Sequence, residues 1–440
     1  MTSESEREPS TDRALHGRPA RRRAVCIWLG TLASWRTGLV KGLVAEYGSV
    51  GRVLDRQPGE LALAIGKLGA VRRRPKPAAA PPTGRAADQH RRDEVERNKE
   101  EARFAAVLAQ DPDACAQAQR RGPGTAVIAW CDPLYPPALR QLSDAPLCLF
   151  VRTTCPDALV AQRMEVLCRA VAVAVVGTRA PSPYGQEMAA MLGRDLTTRG
   201  IVVVSGLATG IDSAAHFGAL HAAGPAGDTG AVATVGVLGC GADLIYPLSN
   251  RGLYAEVAAR GLLLSEFAWG VGVRKWRFPA RNRIMAALCR GVVIVEGASR
   301  SGARLTADYA LDLGREVLAV PGEAGKRLTE APHKLLRSGA QICESAIDVV
   351  DAIATVRLPS PEELAGDVDP EEIAALLRKG SDTGRQADVM KALGRGSMTA
   401  DQVAGACRLR VQQVGALLSE LEIDGLVALH EGGVYRLRRA

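Results

Sequence analysis

Six short apolar runs alternate with amphipathic segments between about residue 124 and residue 356. The runs predict buried parallel strands at 171–176, 201–205, 233–238, 262–265, 291–295 and 316–320. The segments between and after them predict helices at about 185–199, 209–223, 250–260, 280–289, 302–313 and 331–338. Alternation of this kind is typical of an α/β fold with a doubly wound, mostly parallel sheet.

The chain before this alternation divides into three parts. Residues 1–23 are polar and predict a disordered tail, and residues 24–71 predict a helical region. Within that region "AIGKLG", at 64–69, suggests a SAM or helix-hairpin-helix-like unit that contacts DNA, although a plain helical packing unit is the favoured interpretation. Residues 72–100 are rich in Pro and Ala and then charged, so we expect a linker that leads into a helix.

The chain after the alternation predicts one more small domain. Residues 357–382 contain Pro and acids and predict a second linker. Residues 383–440 predict three helices, one of them capped by Thr399, and a hairpin that turns at Gly432 and Gly433. Three helices followed by a hairpin form the winged-helix pattern, a variant of the helix-turn-helix.

Composition narrows the class of protein. Of the 440 residues 47% are hydrophobic, which is ample for a large core, and no apolar run has the length of a membrane span. The N-terminus has no segment of signal-peptide type, so we expect a cytoplasmic protein without a membrane partner. The ten cysteines form no CxxC pair and no cluster with histidine, which argues against a metal site and a disulfide scaffold.

Charge is distributed unevenly along the chain. The net charge of +8 comes from residues 1–100, which hold 20 basic and 12 acidic residues. The remainder is balanced, but residues 267–307 carry eight Arg or Lys and a single acid, Glu296. A local excess of this kind is more informative about a nucleic-acid site than the net charge of the chain.

The loops that follow the predicted strands are rich in small residues. They read "VGTR", "SGLATGID", "LGCGADLIYP", "SE", "VEGASRSGARLTA" and "VPG". Glycine lets a ligand approach the backbone, and N–H groups at the start of a helix favour an anion. None of the loops has the P-loop lysine or the GxGxxG spacing, so no nucleotide cofactor is expected.

A basic stretch with aromatic residues lies between two of these loops. "VRKWRFPARNRI", at 273–284, interleaves five basic residues with Trp276 and Phe278. Basic side chains can follow a phosphate backbone while aromatic rings stack on bases. The alternative is a charged helix start with two aromatic residues in the core.

Candidates for catalysis are few. Asp212 and His216 are spaced to share one helix face, and Glu296 follows a predicted strand. There is no GxSxG elbow and no pair of carboxylates, so Asp212 is expected to cap a helix and His216 to bond within the fold. The sequence therefore predicts a protein without catalytic residues.

Taken together, the motifs resemble the DNA-processing protein A family (DprA, also called Smf). The resemblance rests on "VVGTR", "VVSGLATGIDSAAHFGAL", "VGVLGCGADLIYPLSN", "LLSEF", "FPARNRI", "VVIVEGASRSGARLTADYALDLGREVLAVPG" and "RSGA". It implies a Rossmann-like DNA-binding domain at 125–356 that binds single-stranded DNA without catalysis or cofactor. It also implies protection of incoming DNA in natural transformation, loading of the RecA recombinase, and homodimers joined through this domain.

Fourteen residues are expected to contact DNA. The resemblance assigns strand binding to Arg179 and to the "RNR" stretch, and the small-residue loops and the neighbouring aromatic add the others. They are Gly177, Thr178, Arg179, Ser205, Gly206, Thr209, Gly210, Phe278, Arg281, Asn282, Arg283, Ser301, Gly302 and Arg304. Thr209 stands where the family often has Lys or Arg, and Arg304 is a candidate for the compensating charge.

The phosphate of a DNA backbone is expected at the "VVGTR" turn, with N–H groups from Gly177, Ser205 and Gly206 and charge from Arg179. Two other classes of protein remain open. One is a nucleotide-processing enzyme similar to phosphoribohydrolases, although their PGGxGTxxE loop is missing here. The other is a transcription regulator whose winged helix binds duplex DNA while the α/β domain senses a ligand.

Overall fold

The computed structural model describes most of the chain. The described residues are 11–36, 38–71, 85–224, 230–299, 301–356 and 358, and in the C-terminal part 389, 392–393, 398–407, 414, 418, 427–430 and 434–437. They belong to two compact units, Met1–Val368 and Asp369–Ala440, which are treated separately below. Among these residues, no helix is both long enough and apolar enough to cross a membrane.

A nine-stranded sheet organises the first unit. Its strands are β1 (Thr125–Ala129), β2 (Cys148–Arg152), β3 (Ala172–Val176), β4 (Val202–Ser205), β5 (Thr234–Leu238), β6 (Leu262–Ser265), β7 (Gly291–Ile294), β8 (Glu316–Ala319) and β9 (Gln341–Ile342). The spatial order is β1-β2-β6-β5-β4-β3-β7-β8-β9. Only β1 with β2 and β2 with β6 pair antiparallel. The six predicted strands are confirmed as β3 to β8, and β1, β2 and β9 are additions.

Helices precede the sheet and connect its strands. The N-terminal ones are α1 (Thr11–Ala33), α2 (Leu39–Tyr47), α3 (Val50–Leu54), α4 (Pro58–Val71), α5 (Arg85–Leu108) and α6 (Pro112–Ala118). Those of the α/β domain are α7 (Asp157–Arg169), α8 (Pro183–Thr198), α9 (Ile211–Ala222), α10 (Arg251–Arg260), α11 (Arg277–Leu288), α12 (Gly302–Asp312), α13 (Glu330–Arg337) and α14 (Ala346–Ile353). The six predicted helices correspond to α8 to α13.

Both faces of the sheet are covered by helices. Along β3 alternate side chains belong to different cores: Ala174 packs with residues of α1, α11 and α12, whereas Val175 packs with residues of α8, α9 and α14. A strand buried on both faces reads as a continuous apolar run, which is why the sequence revealed it. The doubly wound, mostly parallel α/β fold class is therefore confirmed.

Helices α8 and α9 approach each other closely. A Cβ atom on Gly193 would overlap the carbonyl oxygen of Ala215, and one on Gly218 would overlap that of Ala190. These two glycines let the helix backbones touch. Because α8 follows β3 and α9 follows β4, the contact fixes the two loops that precede these helices relative to each other.

The N-terminal helices share a core with the sheet. Helix α1 contributes Ile27 to the same cluster as the strands, and Ser34 beyond its end accepts the N–H of Ala268 at 2.8 Å and a guanidinium N–H of Arg277 at 3.1 Å. The structure differs from the predicted tail over 1–23, because α1 begins at Thr11; residues 1–10 lie outside the described part. Residues 64–69 lie inside the continuous helix α4.

The predicted linker over 72–100 also differs in its second half. Residues 85–100 already belong to helix α5, while residues 72–84 lie outside the described part. At the end of the segment, Glu100 forms ion pairs with Arg277 at 3.0 Å and with Arg274 at 3.3 Å. The last residue of the charged part therefore contacts the α/β domain.

The second unit is small. A three-stranded antiparallel sheet has β10 (Met398–Thr399), β11 (Val427–His430) and β12 (Val434–Leu437) in the order β10-β12-β11. The Thr399 Oγ1 accepts the N–H of Gln402 at 3.3 Å at the start of α15 (Ala400–Cys407), which confirms the predicted cap. The two strands of the predicted hairpin are present, while Gly432 and Gly433 lie outside the described residues.

Candidate nucleic-acid interface

The strand order reverses next to β3. From β3 the sheet continues through β4, β5 and β6 on one side and through β7, β8 and β9 on the other. Ligands of doubly wound sheets bind outside the C-terminal ends of strands at such a point. The loops after β3, β4, β5 and β7, together with the start of α11, therefore form the candidate site.

The helix start that follows β3 is occupied by a carboxylate of the protein itself. Glu296, after β7, is 3% exposed and accepts the N–H and the hydroxyl of Ser182, the N-cap of α8. A side chain on Gly185 in the first turn would overlap this carboxylate. Because the anion-binding position at the start of α8 is filled, Glu296 has a structural role and a phosphate is not held there.

A second carboxylate fills the space between the loops after β3 and β4. Asp212 is buried and accepts the N–H groups of Gly206, at 3.1 Å, and of Gly177 and Ala208. Burial raises the pKa of Asp212, and the nearby positive charge of Arg281 opposes that rise. The N–H groups of Gly177 and Gly206, which were expected to hold a phosphate, are therefore used inside the fold.

The remaining backbone of these loops is also engaged. Thr178 donates its N–H to the carbonyl of Glu296 at 2.8 Å. Ser205 has no exposed surface, and its hydroxyl donates to the carbonyl of Val175 at 2.7 Å. The sequence predicted that Ser205 contacts DNA directly, and its buried position does not fit this prediction.

The "RNR" stretch lies inside the fold. Arg281 is 4% exposed and donates to the carbonyls of Gly206, at 3.0 Å, and Val237. Asn282 donates to the carbonyl of Gly302 at 3.2 Å. Burial lowers the pKa of Arg281, and Asp212 opposes that change. Arg281 thus holds the ends of β4 and β5 together and neutralises Asp212.

Arg283 is used in a similar way on the other side of α11. It is 9% exposed and forms ion pairs with Asp144 at 3.1 Å and Glu266 at 2.7 Å. Like Arg281, Arg283 was expected to contact DNA directly, and its buried position does not fit this expectation. A signal was present in the sequence, since residues 284–288 that follow are apolar on every side and such a helix is buried.

A cationic and aromatic surface beside these loops stays open to solvent, and we call Arg179, Tyr246 and Phe278 the aromatic patch. The Arg179 guanidinium, on an exposed residue, lies 5.5 Å from the centre of the Phe278 ring. The rings of Phe278 and Tyr246 are 5.4 Å apart with an angle of 38° between their planes. Tyr246 is 41% exposed. The patch therefore offers a positive charge beside two ring faces.

Tyr246 was missed in the sequence, although its loop "LGCGADLIYP" was noted for its small residues. The hydroxyl of Tyr254 holds this residue in place, because it donates to the Tyr246 carbonyl at 2.8 Å. The sequence did contain a signal for Tyr246, because an aromatic residue at the end of a Gly-rich loop can contact a ligand of that loop.

Thr209 and Gly210 connect the loop after β4 to the patch. The Thr209 hydroxyl donates to the carbonyl of Arg179 at 3.3 Å. Gly210 has a φ of +83°, and a Cβ there would overlap the carbonyl of Thr178. Both residues are half-buried, so they support the backbone that carries Arg179.

The residues expected from the loop after β7 lie at the start of α12. Ser301 is its N-cap residue, Gly302 is exposed, and Arg304 is exposed with its Nε atom 3.9 Å from a carboxylate oxygen of Asp308. Arg300 lies outside the described residues. Asn282 joins this segment to α11 through the carbonyl of Gly302.

Asp212 and His216 do not act as a pair. The hydroxyl of Thr234 donates to the Val203 carbonyl at 2.6 Å, so it accepts the Nδ1–H of His216 at 2.7 Å. Burial lowers the pKa of His216 to about 3, with a further contribution from Arg281. The imidazole is neutral and inaccessible, which agrees with its expected structural role.

Comparison with known proteins identifies the class. Residues 126–354 match the family model described as DNA recombination-mediator protein A, and residues 374–433 match the DprA winged helix domain. The first match alone covers more than half of the chain, which therefore belongs to the DNA recombination-mediator protein A family, also known as DprA or Smf. The expected winged-helix domain is likewise confirmed.

Individual relatives agree. The putative DNA processing protein DprA of Mycobacterium tuberculosis (strain CDC 1551 / Oshkosh) is 42% identical over 270 residues, which is 61% of this chain and 65% of the relative, slightly less than two thirds of its length. Protein Smf of Escherichia coli (strain K12) is 34% identical over 70% of this chain and 76% of the relative. The X-ray structure of DprA from Streptococcus pneumoniae aligns with a TM-score of 0.55 and 27% identity, covering 77% of this chain and 99% of that one.

Proposed function

We propose that this chain binds single-stranded DNA at the aromatic patch as part of DNA recombination. The observation that carries the proposal is the grouping of the exposed residues Arg179 and Tyr246 around the half-buried Phe278 ring, next to the C-terminal ends of the parallel strands. Aromatic faces bind any base by stacking, and a neighbouring guanidinium binds phosphate without reading sequence. Membership of a DNA recombination-mediator family supports the same role.

The burial of the other candidates shapes this proposal. Gly206 and Arg281 are bonded within the loops next to the patch, whereas Arg179 supplies charge and the two rings supply stacking area. Unpaired bases expose their faces and paired bases do not, so the patch favours single strands over duplex DNA.

The finer role follows the family resemblance. We propose that the chain protects incoming DNA in natural transformation, helps to load RecA, and acts without catalysis. We also propose a homodimer through the α/β domain. The exposed apolar side chains of Ile342, on the edge strand β9, and Ile347 support this choice, because each is 56% exposed.

A titration with and without salt tests strand binding. A labelled single-stranded oligonucleotide of about ten nucleotides, within the usual site size, should bind more tightly than the matching duplex. The slope of log K against log salt should steepen by roughly −0.7 for each phosphate neutralised. Affinity that does not change with salt would contradict the proposal, and a preference for duplex would favour the transcription-regulator alternative.

The enzyme alternative is tested in the same samples. Glu296, the position where a catalytic acid could sit, is buried, and its carboxylate accepts the hydroxyl of Ser182. Turnover of nucleoside monophosphates to free base should therefore stay at the level of a buffer control. Release of base by the wild type that disappears in a Glu296→Gln protein with unchanged thermal unfolding would favour the alternative.

A further inference from the structure

Another exposed aromatic residue stands at the same edge of the sheet as the aromatic patch. Tyr184, in the first turn of α8, is 46% exposed, and its hydroxyl donates to the carbonyl of Pro321 at 3.0 Å. Helix α8 follows β3 and Pro321 follows β8, with β7 between these two strands. The hydrogen bond therefore fixes an accessible ring across the C-terminal ends of β3, β7 and β8.

The aromatic patch and Tyr184 mark two ends of one edge. Phe278 lies over the end of β5, because a Cβ atom on Gly239, directly after β5, would press on its ring. Strands β4, β3 and β7 lie between β5 and β8. Neighbouring strands are about 4.8 Å apart, so about 19 Å separate the ends of β5 and β8. Since a stacked strand rises about 3.4 Å per nucleotide, about five or six nucleotides cover this edge.

Positive charge is available between these two ends. Arg179 follows β3 and is exposed. Lys334, exposed on α13, donates to the hydroxyl of Ser299 in the loop after β7. The neighbouring acid Glu330 accepts the N–H of the same Ser299 at 3.1 Å, so it has a partner within the fold. A phosphate backbone that runs from β5 towards β8 therefore meets Arg179 first and Lys334 next.

The edge becomes acidic beyond Tyr184. Glu344 is exposed just after β9, the strand that pairs with β8. Burial, Glu296 and Glu344 together raise the pKa of Tyr184, which places the charge of Glu344 near this hydroxyl. A phosphate beyond Tyr184 would be repelled, so contact with a strand is expected to end at this ring.

We propose that single-stranded DNA runs along this edge from the aromatic patch, past Arg179 and Lys334, to Tyr184, whose ring stacks on a base. The path rests on the proposed function, because it extends the same site by a second stacking position. Stacking on a ring accepts any base, so Tyr184 adds affinity and site length without adding sequence preference.

Substitutions at Tyr184 test the stacking contact in the full chain. Tyr184→Leu should weaken binding of a ten-nucleotide oligodeoxythymidylate by about fivefold or more, since base–aromatic stacking contributes on this scale. Tyr184→Phe loses the hydrogen bond to Pro321 but keeps the ring, so it should stay within about twofold of the wild type. The matched control is Phe217→Leu, which removes a 54% exposed aromatic ring beyond the first turn of α9 and should change nothing.

Cross-linking of the wild type tests the path without any substitution. Oligonucleotides of the same length carry a single 5-iodouracil at each position in turn, and the cross-linked peptides are identified by mass spectrometry. We expect adducts at Tyr246 and at Tyr184 from positions that are at most about six nucleotides apart. Adducts at Tyr246 without any at Tyr184 would overturn the path, even if Tyr184→Leu failed to fold.

The remaining outcomes separate this path from the proposed function. If Arg179→Ala weakens binding and a folded Tyr184→Leu protein does not, the path is wrong and the proposed function stands. Equal losses in Tyr184→Leu and Tyr184→Phe would assign the effect to the hydroxyl and overturn stacking. A changed sedimentation coefficient of Tyr184→Leu would assign the ring to an interface between copies of the chain and overturn the path. A wild type that binds no single strand would refute both proposals.

Discussion

The arginines of α11 and the arginine that follows β3 have similar surroundings in the sequence and opposite ones in the structure. Arg277, Arg281 and Arg283 are at most 9% exposed and donate to carbonyls and carboxylates of the fold. Arg179 is exposed and lies over an aromatic ring. Both segments have the basic character that indicates DNA binding, yet the arginines of α11 direct their charge into the fold whereas Arg179 presents its charge to solvent.

The difference shows that the loops at the strand ends require positive charges from inside the fold. Packed strand ends expose carbonyls, and here they also enclose Asp212 and Glu266, so the fold requires internal cations. Arginine meets this need because one guanidinium has five donors. A basic stretch beside a parallel sheet can therefore be an internal counter-charge, with the ligand contact left to a few exposed residues.

The largest effect is expected when one of the buried arginines is replaced. Arg281→Met should lower the free energy of unfolding by about 3–5 kcal/mol, because it leaves Asp212 buried without its counter-charge. Urea denaturation measures this loss, and adding Asp212→Asn should recover part of it. Arg304→Met, at an exposed position, is the control. A stable Arg281→Met protein with weakened DNA binding would show instead that Arg281 contacts the strand.

Replacing the exposed Arg179 should weaken DNA binding without lowering the stability of the protein. Arg179→Ala should weaken single-strand binding by about 1.5–3 kcal/mol, the value of a hydrogen bond to a charged group. Thermal unfolding should change little, since few contacts of the fold are removed. Arg199→Ala, at the opposite end of α8, serves as the control for binding. Unchanged affinity in a folded Arg179→Ala protein would remove Arg179 from the site.

The buried His216 should make the stability of the protein depend on pH. The unfolded imidazole takes up a proton near pH 6.5, whereas the buried one stays neutral down to about pH 3. The unfolded state therefore binds more protons in this range, and stability should fall by about 2 kcal/mol between about pH 8 and about pH 5. His216→Gln should remove this part of the slope, and His221→Gln, exposed on the same helix, should not. Equal slopes in all three proteins would contradict the assignment.

The smallest effect is expected from the C-terminal unit. A chain that ends at Val368 keeps the whole first compact unit and should retain single-strand affinity within about threefold, or ~0.7 kcal/mol. The predicted third helix of the removed part carries Glu420, Glu422 and Asp424, which repel phosphate. A tenfold loss in the folded, shortened protein would mean that the winged helix takes part in holding the strand.

The sequence predicted the core of the sheet well and its border poorly. Runs such as 171–176 are apolar throughout because helices cover both faces of those strands. Strands β1 and β2 lie in apolar runs of similar length, at 126–131 and 147–151, but they pair antiparallel and frame a segment rich in proline, so they stand outside the strand–helix alternation. Strand β9 has only two residues, and no apolar run marks it. That α1 joins the same core depends on contacts such as Gly30 against Cys148, which no local pattern encodes.

The candidate site was predicted in location more than in detail. Arg179 was identified from the family resemblance, and Phe278 from its position among the basic residues of 273–284. The hydrogen bonds from Gly177 and Gly206 to Asp212 were not predicted. The sequence indicated that Asp212 caps a helix, but it did not indicate that its carboxylate also accepts N–H groups from two neighbouring loops. Tyr246 needed the fold to bring its loop beside α11.

The contact between Ser34 and Arg277 has a consequence for synthesis of the chain. The two residues are 243 positions apart, and the apolar side of α1 packs on strands that are translated after it. At about 5–20 residues per second, roughly 12–50 s pass on the ribosome before that helix can reach its final partners. During this time the end of α1 at Ser34 lacks its partners Ala268 and Arg277, so we expect the nascent chain to be a client of ribosome-associated chaperones.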